Sequence, residues 1–270
     1  MTEDRPATSA PGQRESVPRG HRRRTAEDSA GYLLPHLTPG ASVLDIGCGP
    51  GTITADLAER VAPGTVLAVD LFADVLDVAR AEIERRNLPN VTFATADVHH
   101  LDFPDDAFDV VHAHQVLQHV ADPVRALREM RRVCRPGGIV AARDADYAGF
   151  AWFPELPALD LWRDLYRRAA RANRGEPDAG RRLLSWALAA GFDDIAPTGS
   201  VWCYATPETR DWWGRMWADR ILHSGVGREL LRLGLATIAQ LEEISAAWLT
   251  WAAAPDGWLS IPHGEILCRA

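Results

Sequence analysis

The chain has 270 residues, 47% hydrophobic and 24% charged, enough for one large α/β domain, or one such domain with a modest appendage, around a sizeable core. Its formal net charge is -8, and the arginines before residue 25 (Arg5, Arg14, Arg19, Arg22, Arg23, Arg24) leave an acidic body that is a poor partner for nucleic-acid phosphates. No apolar run approaches the ~20 residues that span a bilayer, no apolar signal segment stands at the N-terminus, and Cys48, Cys134, Cys203 and Cys268 form no CxxC pair; this sets aside membrane, secreted disulfide and zinc-site readings in favour of a cytoplasmic protein with reduced thiols.

Residues 1–24 are rich in Pro, Gly, Ser and Arg without apolar periodicity and read as a disordered tail. A short helix is expected over 26–37, then a turn at Thr38-Pro39-Gly40 and an apolar strand over 42–46. From there strand-like and helix-like stretches alternate: helix 51–61, strand 66–69, helix 73–87, strand 91–95, strand 108–113, helix 122–134 and strand 138–142. Asp122 is a good N-cap for its helix, with Pro123 at the first helical position. Such alternation is the signature of a mostly parallel sheet covered by helices on both faces. Beyond Tyr147 the rhythm breaks into helix 155–173, helix 178–190, strand 194–204, a helical stretch over 207–253 and a last apolar strand over 258–268. Thr237 and Gln240 make a capping box for the final helix.

Val43-Leu44-Asp45-Ile46-Gly47-Cys48-Gly49-Pro50-Gly51 is a strand that runs through a glycine-dense turn into a helix, so a ligand can lie on bare backbone beside the positive helix N-terminus. Nucleotide-binding folds of several kinds use such a turn. A dinucleotide fingerprint asks for Gly or Ala where this chain has Thr52, and Asp45 just before the turn would repel a pyrophosphate and attract an ammonium group. Asp70, at the tip of the second strand and 25 residues after Asp45, can accept from both ribose hydroxyls of an adenosine, whether in NAD or another donor. Asp97 follows the third strand, at the adenine edge in such a fold, with Val98 against the ring. Each carboxylate alone reads equally as a cap or loop residue. Three at the carboxyl ends of three successive strands mark the ligand-binding edge of an open α/β sheet.

The stretch from about Thr25 to Tyr147 resembles the class I S-adenosylmethionine-dependent methyltransferases, and more narrowly the quinone-biosynthesis type and its small-molecule relatives. VLDIGCGPG at 43–51, AVD at 68–70, ATADVHHLDFPDDAFDVV at 94–111 and HQVLQHVADPVRALREMRRVCRPGG at 114–138 carry the likeness. The resemblance implies a Rossmann-like, doubly wound, mostly parallel seven-stranded α/β sheet with a helical cap built from insertions, and S-adenosyl-L-methionine as cofactor. The core would comprise 25–146, 178–205 and 256–270, and the cap 147–177 and 206–255. By the same resemblance Asp45, Gly47, Cys48 and Gly49 line the methionine part, Asp70 the ribose, Leu71 the adenine face, Asp97 and Val98 the adenine edge, and His114 and Gln115 the region near the sulfonium. Gln118 departs from the pattern, since many relatives have His there.

Methyl transfer asks chiefly for in-line alignment and, for some acceptors, removal of a proton. The candidates for that base are His114, Asp144 and Tyr147, near the ends of strands four and five. Asp146, Trp152 and Trp213 are candidates for holding the acceptor, because aromatic faces exclude water and bind planar or apolar groups. Core packing is the competing role for both tryptophans, and capping for both aspartates. His112, His114 and His119 lack a carboxylate at ligand spacing, so no metal is expected. The expected function is methylation of a small metabolite with an apolar or aromatic portion, without nucleic acid or membrane, a homodimer being compatible with the sequence. The alternatives are a donor-binding interaction protein without turnover and an RNA methyltransferase.

Overall fold

The computed structural model describes residues 24–270, so the tail expected over 1–24 lies, through residue 23, outside the described residues. In chain order these form α1 (Ala26–Ser29), β1 (Val43–Ile46), α2 (Thr52–Val61), β2 (Val66–Asp70), α3 (Ala73–Arg85), β3 (Val91–Thr95), β4 (Phe108–His114), α4 (Pro123–Val133) and β5 (Cys134–Ala145). There follow β6 (Ala151–Phe153), α5 (Pro157–Ala172), α6 (Leu183–Ala190), β7 (Ile195–Tyr204), α7 (Pro207–His223), α8 (Gly225–Arg232), α9 (Ile238–Ala253) and β8 (Trp258–Arg269). Among the described residues no helix is long and apolar enough to cross a membrane. The chain divides into two compact units, one of residues 24–145, 179–200 and 263–270, the other of 146–178 and 201–262.

In the first unit β1 is buried at all four positions, as a strand covered on both faces must be. It pairs in parallel with β2 on one side and β4 on the other; β3 continues beyond β2 and β5 beyond β4. The order of strands thus reverses between β1 and β4, and at such a switch point the connections leave in opposite directions and open a crevice at the carboxyl ends. His263 to Arg269 of β8 run antiparallel to Ala145 to Ile139 of β5. Side chains alternate between two cores. Leu44, Val111 and Val140 share one face with Leu127 and Met130 of α4, whereas Val43, Val110 and Ala141 share the other with Leu33, Leu57 and Val61. Within this mostly apolar sheet Arg143 and Glu265, register partners on β5 and β8, form a buried pair at 3.2 Å. Glu265 also accepts from Ser200 Oγ at 2.5 Å and Thr198 Oγ1 at 2.8 Å, partners that offset part of the cost of burying the charge.

The second unit is helical. Trp162, on α5, is fully buried and meets Trp217 of α7 and Trp248 of α9 edge-to-face at 4.6 and 4.9 Å, a favoured geometry for aromatic quadrupoles. Gly214 lets α7 approach α9, since a Cβ there would stand 2.6 Å from that of Ala252. β6 pairs with the first residues of β8, Phe153 opposite Trp258, and the indole N–H of Trp251 donates to both carbonyls, at 3.1 and 3.3 Å.

Several local expectations need adjusting. The helix expected over 26–37 is α1 followed by a single 3-10 turn at Leu34–His36, because Pro35 has no N–H to continue an α-helical ladder. The helix expected from 178 begins at Leu183, after another 3-10 turn. The stretch 207–253 is three helices, divided at Ser224, whose hydroxyl accepts from Val226 N, and again before the Thr237 capping box. Strand five is longer at both ends than 138–142 and so takes in Asp144. Eight strands are present among the described residues, the short β6 adding to the seven expected.

Replacing Trp162 by Ala should lower stability by about 3–5 kcal/mol, read as a shifted urea midpoint, because the cavity sits where three helices converge. A loss under about 1 kcal/mol would show that the rings repack.

Candidate active site

The glycine turn after β1 is shaped by close contact. Gly47 has φ of 66° and a Cβ there would stand 2.5 Å from Val116 Cγ2, so neither the conformation nor the space admits a side chain. Gly51, at φ 79°, is the N-cap of α2, and a Cβ on it would press on Ala79 at 3.0 Å. The turn is pinned to the second strand, since the N–H groups of Gly47 and Cys48 donate to Val69 O at 2.8 and 3.1 Å. Cys48 is buried, and burial, reinforced by Asp45 and Asp70, pushes its thiol well above the ordinary range, so it stays protonated.

Asp45 lies deeper than its proximity to the turn suggests. It is 2% exposed, and its oxygens are engaged by His112 Nδ1 at 2.8 Å and Thr54 Oγ1 at 2.6 Å. One carboxylate therefore ties β1 to β4 and to the first turn of α2. Neither partner was identified as such from sequence. His112 stands opposite Asp45 in the β1–β4 register, and that register is not written in either strand alone.

Asp70 is half-buried at the tip of β2. Its oxygens accept the backbone N–H groups of Phe72 at 3.2 Å and Gly49 at 3.3 Å, while burial, partly opposed by those hydrogen bonds, raises its pKa above the ordinary value. Each oxygen keeps acceptor capacity for a hydroxyl. The neighbouring Leu71 is 43% exposed, an apolar surface offered next to the carboxylate. Asp97 lies beyond β3 with its Oδ1 held by His99, and Val98 is buried behind it.

At the end of β4, Gln115 takes the left-handed conformation at φ 54°, its N–H donates to Arg143 O at 2.7 Å, and its side-chain amide reaches His263 Nε2 at 3.0 Å. His263 also faces His114, with ring centroids 6.4 Å apart. His114 is buried, and that burial, with the positive fields of Arg24 and Arg143, holds its imidazole well below the ordinary pKa. His263, like Glu265, belongs to the last strand, more than a hundred residues from these neighbours in sequence, and no local signal pointed to it.

Asp144 is fully buried. Its Oδ1 accepts Gln118 N at 3.1 Å, and burial, only partly opposed by the Gln118 and Leu117 N–H groups, pushes its carboxyl up to about 7. Gln118 is buried beside it and reaches His119 Nε2 at 3.2 Å.

The remaining candidates fall in the helical unit. Asp146 caps the 3-10 turn Tyr147–Gly149, accepting Gly149 N at 3.1 Å. Tyr147 stacks between Phe150 and Tyr166 at 4.5 and 4.2 Å. Trp213 is 7% exposed and stacks on Tyr204 at 4.7 Å. Trp152 is half-buried, with the Arg163 guanidinium 4.8 Å over its ring. Among the described residues no group of His, Cys, Asp and Glu could hold a metal ion.

The donor set of the first unit fits a sulfonium nucleoside. Carboxylates at the tips of β2 and β3 offer acceptors for hydroxyls and an amine, Leu71 offers an apolar face, and residues 47–51 carry no Lys or Arg for a phosphate.

Because Asp144 binds its proton more tightly folded than unfolded, its contribution to stability is complete below about pH 4 and fades as pH rises through about 7. Asp144→Asn should remove up to about 1.4 kcal/mol per pH unit of that slope between pH 5 and 7, measured by urea unfolding; an unchanged slope would show that the carboxyl titrates normally.

Comparison with known proteins agrees with this geometry. The methyltransferase domain family matches residues 44–142. An uncharacterized methyltransferase of Schizosaccharomyces pombe is 35% identical over 260 residues, 92% of this chain and 91% of that protein. A probable methyltransferase of Aspergillus luteorubrus is 33% identical over 266 residues, 90% of each. A ubiquinone/menaquinone biosynthesis C-methyltransferase of Hahella chejuensis is 43% identical over 154 residues, 52% of this chain and 62% of that protein. Among solved structures the YcgJ protein of Bacillus subtilis shares the fold, with a TM-score of 0.59 at 18% identity over 88% of this chain and 97% of that one. With likeness to methyltransferases along nearly its whole length and a donor-shaped sheet edge, the chain belongs to the class I S-adenosylmethionine-dependent methyltransferases, and S-adenosylmethionine is its methyl donor.

Proposed function

We propose that this enzyme works in the cytosol and methylates a small metabolite with an apolar or aromatic portion. The observation that carries this reading is the partly open ring of Trp152, backed by the buried aromatic core of Trp162, Trp217 and Trp248 in the unit built from the segments after β5 and β7. The formal charge of -8 supports it against nucleic acid. The relative from Hahella chejuensis, named for ubiquinone/menaquinone biosynthesis, supports it further.

In this reading Gly47, Cys48 and Gly49 form the floor for the methionine part of the donor, with Asp45 fixing the turn from below. Asp70 accepts from the ribose hydroxyls, Leu71 covers one adenine face, and Asp97 and Val98 border the adenine edge. His114 and Gln115 stand near the sulfonium. The donor supplies an activated methyl group; the chain aligns it, excludes water and takes up a proton where the acceptor releases one. A neutral His114 suits that place, because an imidazolium would repel a sulfonium. Of the acceptor-side candidates, Trp152 retains a partly open ring, whereas Asp146 and Trp213 are occupied in capping and packing.

Incubating the full chain with methyl-labelled S-adenosylmethionine and a size-fractionated cell extract should place the label in the small-molecule fraction. Label in RNA or protein, or donor binding without label in any fraction, would overturn the reading. On the acceptor so found, His114→Ala should lower turnover about 100-fold with donor affinity nearly intact, and equal turnover would remove His114 from the site. Asp70→Ala should weaken calorimetric S-adenosylmethionine binding by about 1.5–3 kcal/mol, and unchanged affinity would refute the ribose assignment.

A further inference from the structure

His99, two residues beyond Asp97, bridges two elements of the donor-binding unit. Its Nδ1 lies 2.7 Å from Asp97 Oδ1, and the same oxygen accepts the His99 backbone N–H at 2.9 Å. Its Nε2 accepts the backbone N–H of Asp122 at 3.3 Å. A ring nitrogen that accepts an N–H carries no proton, so the proton of the neutral ring is on Nδ1, pointing at the carboxylate. Asp122 is itself fixed, as the N-cap of α4 whose Oδ1 accepts Arg125 N at 2.9 Å. The imidazole is therefore clamped between the β3 tip and the start of α4. Its side chain is 17% exposed, against 45% for Asp97. Burial raises the Asp97 pKa, but the hydrogen bonds from His99 outweigh it and hold the carboxyl below its ordinary value. Asp97 Oδ2 takes no hydrogen bond among the described residues.

We propose that His99 is a specificity-determining positioning residue: by occupying Oδ1 from a clamped ring it presents Asp97 Oδ2 to the purine as a pure acceptor, selecting a 6-amino over a 6-oxo base in the donor. This rests on the assignment of Asp97 to the adenine edge. An exocyclic amine donates to that oxygen. A 6-oxo group would set lone pair against lone pair and leave a desolvated carboxylate unpaired, the kind of mismatch that polar sites reject strongly. Without the ring only the His99 backbone N–H still holds Oδ1, so the half-exposed carboxylate turns more readily and the penalty against the oxo base is reduced.

The test is calorimetric titration of the full chain with S-adenosylhomocysteine and with S-inosylhomocysteine. The native chain should prefer the adenosine compound by about 10- to 100-fold, as expected for a hydrogen bond to a charged group. His99→Ala should reduce that ratio to about threefold or less. His99→Asn, whose amide N–H reaches the Nδ1 position, should keep most of the preference, and His99→Gln, which reaches the Nε2 position instead, should behave like Ala. A loss of stability alone would lower both affinities together and leave their ratio unmoved. A native ratio in both His99→Ala and His99→Gln overturns the proposal. Asp97→Asn separates the two levels. If it collapses or inverts the preference while the His99 variants do not, the adenine-edge assignment stands and the role of His99 falls; if it leaves the preference intact, both fall.

Discussion

The geometry at the carboxyl ends of β1, β2 and β4 depends on one buried carboxylate. Asp45 sits at the point where the strand order reverses, holding His112 of β4 with one oxygen and Thr54 of α2 with the other. Parallel strands at a switch point diverge above their last shared hydrogen bonds, and the loops that leave them need a common anchor if they are to frame a ligand within a few tenths of an ångström. A buried carboxyl group held by two hydrogen bonds supplies that anchor at the cost of its desolvation. With it in place Gly47 rests against Val116, the turn is tied to β2 through Val69, and Asp70 is reached by Gly49 N. The glycine turn and the tip of β2 thus belong to one network.

A second polar layer runs along the carboxyl ends of β4 and β5 and the residues of antiparallel β8 that pair with the end of β5. Gln115 meets His263, Arg143 meets Glu265, and Asp144 receives Gln118 N. These groups are buried in an otherwise apolar sheet, where each left without a partner would cost about 1–3 kcal/mol. Their persistence in the interior is reason to assign them to the conformation of the loop after β4 as much as to stability. The low pKa of His114 and the high one of Asp144 follow from the same burial, which disfavours the charged form of either group.

How much of this was legible in the sequence divides along physical lines. The glycine turn, the strand-tip aspartates, the Asp122 cap and the Thr237 capping box are local, set by residues within a few positions of one another, and they read directly from spacing. The α/β alternation read well because each strand carries its own apolar run. Contacts that depend on register did not read at all. His112 as the partner of Asp45, Glu265 as the partner of Arg143 and His263 beside Gln115 are joined by pairings between strands far apart in sequence. The break at Ser224 was hidden because apolar residues continue on both sides of it, whereas the Thr237 capping box already marked the start of the last helix. Trp213 looked available for a ligand, and its stacking on Tyr204 comes from a fold of the helical unit that spacing does not encode.

The most direct test of the account is a crystal structure of the full chain with S-adenosylhomocysteine bound. The account predicts Asp70 within hydrogen-bonding distance of the ribose hydroxyls, Asp97 Oδ2 within that distance of the adenine amine, and the Asp45–His112 contact retained. A nucleoside held elsewhere, or one whose ribose and amine meet neither carboxylate, would contradict it.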